Sequence, residues 1–165
     1  MAPGPADFIA AYIGAEKSES LLFMAIGAAC VLVALWALGT RKAWRGAAGP
    51  LIAIAAIQLV VGSTVYLRSD AQQAALQAQH QTDRAGFVRD ETKRMNVVVA
   101  NFQLYKGIEI ALLIVGAAVA ARYRRHSGWR PFGLALALQS GLMLGADLFA
   151  EARADVYLAA VRAAG

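Results

Sequence analysis

Four stretches of nearly uninterrupted apolar sequence, roughly 20–39, 50–67, 98–121 and 131–150, constrain this chain more than any other feature. Each approaches the ~20 residues that an α-helix needs to cross the hydrocarbon core of a bilayer. A β-barrel is excluded, because these runs lack the apolar/polar alternation of a strand with one face in lipid. With 59% hydrophobic residues, the chain is too apolar for an ordinary soluble domain, and its 165 residues are too few for more than one bundle. The expected architecture is all-α. It is a single polytopic membrane bundle over 1–165, with four transmembrane helices in two tandem hairpins and with helices two and three extended outside the membrane.

The first run is read as a retained helix and not as a signal peptide. Lys17 is the sole basic residue before it, among Asp7, Glu16 and Glu19, and the run is longer than an ordinary signal core. Cys30 is the single cysteine, so no intramolecular disulfide can form. Arg41, Lys42 and Arg45 fill the 40–49 connection, and Arg122, Arg124, Arg125 and Arg130 crowd 122–130, with no acid in either loop. Positive-inside bias makes both loops cytoplasmic and puts the termini and the 68–97 connection outside a plasma (inner) membrane. The net charge of +5 is on this view a topology signal. No nucleic-acid partner is expected, since no recognition module surrounds the basic clusters.

The halves resemble copies. Lys17 precedes Gly27-Ala28-Ala29 by ten residues as Lys106 precedes Gly116-Ala117-Ala118, and Pro50 precedes Gln58 by eight as Pro131 precedes Gln139. Two crossings per copy give both the same orientation, hence a pseudo-two-fold axis along the membrane normal. Between them, Ala71 to His80 consists of strong helix formers without Gly or Pro. Helix two is therefore expected to run to about Thr82, with a turn at Gly86 and a helical hairpin over about 69–96.

Candidate chemistry lies in the polar residues within the apolar runs. Gln58, Glu109 and Gln139 fall near mid-bilayer by the 1.5 Å rise per helical residue, and polar groups at that depth usually face a cavity or a partner. Asn101, Tyr105 and Glu109 recur at i, i+4, i+8 on helix three. Gln139, Met143, Asp147 and Glu151 repeat the spacing on helix four, and Gln58, Gly62, Tyr66 and Asp70 on helix two. Three polar stripes predict an outward-open polar cleft ending at Glu109, with Glu16 and Glu19 able to close it. Lys106 is within reach of Glu109 or Asp147. The competing reading is structural, with these groups bonding helices to one another. Gly141 and Gly145 form a G-x-x-x-G suited to close helix approach, and Trp36, Trp44 and Trp129 suit an interfacial aromatic belt.

Neither a metal nor a cofactor is expected. His80 and His126 fall on opposite sides of the membrane, and there is no H-E-x-x-H, C-x-x-C, Walker A or dinucleotide fingerprint. The reading that follows is a non-enzymatic membrane protein binding or conducting a polar or cationic solute or lipid headgroup. Its ligand-binding set is Gln58, Tyr66, Asn101, Tyr105, Lys106, Glu109, Gln139, Asp147 and Glu151. The alternatives are an assembly subunit of a membrane complex and an intramembrane lipid-modifying enzyme using Glu109 or Asp147 as acid or base. Membrane lipids and either a second copy of the chain or a larger membrane complex are the expected partners.

Overall fold

Four α-helices account for almost the whole chain in the computed structural model, which describes residues 5–39, 44–123 and 127–165. They are α1 (Pro5–Gly39), α2 (Arg45–Thr82), α3 (Arg84–Arg122) and α4 (Trp129–Ala163). Each is long and apolar enough to cross a membrane. Arg41, Lys42, Arg124 and Arg125 of the basic loops lie outside the described residues.

Helices of 35 to 39 residues are roughly 52–58 Å long at 1.5 Å per residue, well beyond a hydrocarbon core of about 30 Å. The excess lies at one end of the bundle and comes from all four helices, whereas the sequence assigned it to helices two and three. α1 starts at Pro5, fifteen residues before the first apolar run, and α4 continues past 150 to Ala163. Hydropathy alone overlooks these segments because they are amphipathic. Ile9, Tyr12 and Ile13 on α1, and Ala154, Tyr157, Leu158 and Val161 on α4, recur at helical spacing and bury one face. With Leu76, Phe87 and Met95 they make the larger hydrophobic core of the molecule, which we term the head.

The apolar runs pack by a different chemistry. Their second core consists of Ala34, Ala47, Ala48, Leu51 and Ala135, while Leu32, Trp36, Val60, Ile114 and Leu138 point outward. Outward apolar side chains cost nothing against lipid tails, so helix association here depends on close backbone approach. A Cβ on Gly116 would lie 2.6 Å from the Ala137 backbone nitrogen, and one on Gly62 would lie 2.9 Å from the Ser20 carbonyl oxygen. Gly141 and Gly145 are not used this way: a Cβ on Gly141 would meet only Leu113 Cδ1 at 3.8 Å, and one on Gly145 would meet nothing within 4 Å.

The most intimate pairings are α1 with α2 and α3 with α4. α2 and α4 also touch across the middle, whereas the backbones of α1 and α3 stay apart and these helices meet only through side chains in the head, where the Phe8 and Phe87 rings lie 6.4 Å apart. The cross-section is thus a rhombus with α2 and α4 on its short diagonal. The turn between α2 and α3 falls at Asp83 and not at Gly86. Asp83 donates its backbone N–H to the Gln79 carbonyl, ending α2, and its Oδ1 accepts from the Gly86 N–H at 2.9 Å, opening α3. Gly86 is buried against this cap, where a Cβ would sit 2.1 Å from Asp83 Oδ2.

Candidate functional site

The residues expected at mid-membrane are among the most buried polar groups: Gln58 and Gln139 are each 1% exposed and Glu109 is 5%. Gln139 donates from Nε2 to Cys30 Sγ at 3.0 Å, tying α4 to α1. Gln58 lies against Gly27, one turn earlier on α1. Gln58 Oε1, Glu109 Oε2 and Ser140 Oγ are buried without a hydrogen-bond partner. Groups left so in a low-dielectric interior are expensive, which marks this layer as chemically unfinished within the chain.

Along α3 the inward face runs Glu91, Met95, Phe102, Lys106, Glu109 and Gly116 at intervals of three, four or seven residues. Asn101 and Tyr105 fall off it and are exposed, Tyr105 by 48%. The i, i+4, i+8 spacing explains the miss, since each four-residue step rotates about 40° around a 3.6-residue helix, leaving Asn101 roughly 80° away from Glu109. Lys106 binds neither Glu109 nor Asp147. Its Nζ reaches both oxygens of Glu151 at 2.6 and 2.8 Å, and Gln103 Nε2 adds a third bond to that carboxylate at 2.7 Å. Glu151 is thereby neutralised. Asp147, one turn nearer mid-bundle, lies within electrostatic reach of both Glu109 and Glu151 and has no ion pair among the described residues. Tyr66 is half-buried beneath Lys17, whose Nζ is 4.9 Å from the ring centroid and 2.6 Å from Asp70.

Of the ligand-binding set expected from the sequence, Asp147 alone lines the cleft of about 320 Å³ along the α1/α4 seam. Hydrocarbon dominates its lining, including Leu22, Phe23, Ile26, Val61, Val65 and Phe102, where three polar stripes predict a polar surface. Its charged wall comprises Glu16, Glu19 and Asp147. Glu16 Oε1 has a long contact with Arg68 at 3.4 Å, and its Oε2 is buried without a partner. Glu19 is clasped by Arg153 of α4 through two hydrogen bonds. Farther out along the same seam a second hollow of about 500 Å³ is lined by Phe8, Tyr12, Val156, Tyr157 and Ala160 as well as Arg153. Phe149, 74% exposed, belongs to both. Arg153 was not among the sequence candidates, although it follows Phe149 by four residues and precedes Tyr157 by four, a face that the extended α4 makes visible.

Above the seam the head is fixed by one carboxylate. Glu91, 2% exposed, accepts from Arg94 at 2.6 and 2.7 Å and from the Tyr157 hydroxyl at 2.8 Å. Tyr157 stacks on Tyr12 with centroids 4.1 Å apart and planes inclined by 13°. Burial pushes the Tyr12 phenol up to about 12, helped by the charge of Glu16. Burial and then the adjacent Glu91 push Tyr157 higher still. Both phenols therefore remain neutral, Tyr157 as the donor to Glu91 and Tyr12 stacked on it, and α1, α3 and α4 are joined at a fixed height above the cleft. No family model, curated protein or solved structure matches the chain.

Proposed function

We propose that the chain is a non-enzymatic membrane protein that binds a cationic amphiphile in the α1/α4 cleft. Glu16 and Asp147 hold the cationic group, and the hydrocarbon part lies against Leu22, Phe23, Ile26 and Phe102. The observation that carries the reading is an apolar cleft whose wall holds a carboxylate, Asp147, with no counter-cation among the described residues, and a second, Glu16, with an unpartnered oxygen. Such pockets, mostly apolar with a few placed polar groups, are the usual form of small-molecule sites. A carboxylate against hydrocarbon is costly until a cation meets it, so ligand charge and site charge stabilise each other. Deeper in, Glu109, Gln58 and Gln139 supply further acceptors toward mid-membrane. With the basic loops cytoplasmic, the cleft opens on the opposite side of the membrane, where a solute or lipid headgroup enters.

The test uses tetraphenylphosphonium and tetraphenylborate, probes of matched size and opposite charge, with the purified protein in nanodiscs. The phosphonium binds and the borate does not. Asp147→Asn weakens phosphonium binding by roughly 10- to 100-fold, in line with a charged contact of about 1.5–3 kcal/mol, without lowering Tm. Equal binding of both ions, or an Asp147→Asn variant that binds like wild type, refutes the site.

A second reading, assembly with another copy, is favoured by the open Gly141/Gly145 face, which the intrachain packing leaves uncovered. Mass measurement in mild detergent should find a dimer that Gly145→Leu converts to monomer. A wild-type protein that stays monomeric at every concentration removes this reading.

A further inference from the structure

Resting on the cation site just described, we propose that the natural occupant is a zwitterionic phospholipid, with its ammonium at Glu16 and Asp147 and its phosphate on Arg153. The Glu19–Arg153 pair bridges α1 and α4, which pack far less closely than the α1/α2 and α3/α4 hairpins, and it stands between two apolar hollows that share Phe149. It is one charge of each sign set at the mouth of a hydrocarbon-lined cleft. A phosphoammonium headgroup is the same charge pattern in mobile form.

Depth supports the match. Glu19 immediately precedes the first apolar run and Arg153 closely follows the last, so the clasp lies where the lipid phosphate plane meets the hydrocarbon. Chemistry supports it too. A guanidinium suits a phosphate through paired N–H donors, and Arg153 Nε is buried with no acceptor, leaving one donor free for a phosphate oxygen. When the headgroup enters, phosphate replaces Glu19 on Arg153 and the ammonium collects the carboxylates, so one internal ion pair becomes two intermolecular ones. An acyl chain then follows Leu22 and Ile26 down the cleft toward the bilayer. An anionic lipid without an amine satisfies Arg153 but leaves Glu16, Glu19 and Asp147 facing it, a like-charge penalty that disfavours it.

The experiment is native mass spectrometry of delipidated protein titrated with dioleoylphosphatidylethanolamine or dioleoylphosphatidylglycerol, alongside phosphonium binding. Wild type retains the ethanolamine lipid about tenfold more tightly than the glycerol lipid. Arg153→Gln loses that affinity while keeping phosphonium binding, which also certifies that the variant is folded. Glu19→Gln releases Arg153 and raises glycerol-lipid retention several-fold, narrowing the preference. Loss of phosphonium binding in wild type would count against the cation site itself. Intact phosphonium binding with no lipid preference, ethanolamine-lipid retention indifferent to Arg153, or glycerol-lipid retention unchanged in Glu19→Gln overturns the phospholipid assignment alone.

Discussion

At Gly116 the backbone of α3 lies so close to α4 that the space of a single methyl group is already taken by the Ala137 main chain. Gly133 makes the reciprocal approach, with a Cβ there falling 2.6 Å from the Gly116 carbonyl oxygen. Backbone cannot swing aside as a flexible side chain does, so Gly116→Ala must separate the helices. The expected cost is about 1–3 kcal/mol, the usual range for overpacking, read as a lower Tm in detergent. Gly145→Ala meets nothing and gains helix propensity, so its Tm should stay level or rise. Equal effects of the two substitutions would contradict this contact geometry. The same residue-level logic separates the polar groups of α4: Glu151 is paired with Lys106 and Gln103, whereas Asp147, one turn away, has no ion pair among the described residues.

At the level of elements, the head is the part of each helix that lipid does not reach in the proposed orientation, and it carries the large side chains. Its Tyr12–Tyr157–Glu91 contact makes stability sensitive to alkali. The folded Tyr12 phenol titrates at about 12 against 10.0 when free, so its contribution is whole below pH 10 and is lost as pH rises through about 12. Across that interval the loss is about 2–3 kcal/mol, from 1.36 kcal/mol per unit. Thermal melts followed by circular dichroism should fall more steeply above pH 10 in wild type than in Tyr12→Phe, which has no proton to lose. Parallel slopes would exclude Tyr12 as a source. The four helices and their apolar spans were legible because length and composition alone set them. The outer ends of α1 and α4 were not, because an amphipathic helix leaves its signal in the spacing of Ile9, Tyr12 and Ile13 and not in mean hydropathy. The burial of Gln58, Glu109 and Gln139 could be read from depth. The hydrocarbon lining of the cleft and the Glu19–Arg153 clasp could not, since the first draws on all four helices and the second arises only where α1 meets α4, two elements far apart in sequence.

For the molecule as a whole, chemistry is ordered by height: small-residue packing and the buried Gln58/Glu109/Gln139 layer, then the carboxylate-walled cleft, the Glu19–Arg153 clasp and the aromatic head. The rhombic cross-section adds a mechanical consequence. α2 and α4 form the ridge on which the two hairpins meet, with the α1/α4 seam on one side and the α2/α3 seam, hollowed by about 680 Å³ beside Arg68, Leu76 and Val98, on the other. If either hairpin rolls on that ridge, the width gained by one seam is taken from the other. The two flanks of the protein are in this sense a balance beam, and anything wedged into the first sets the width of the second.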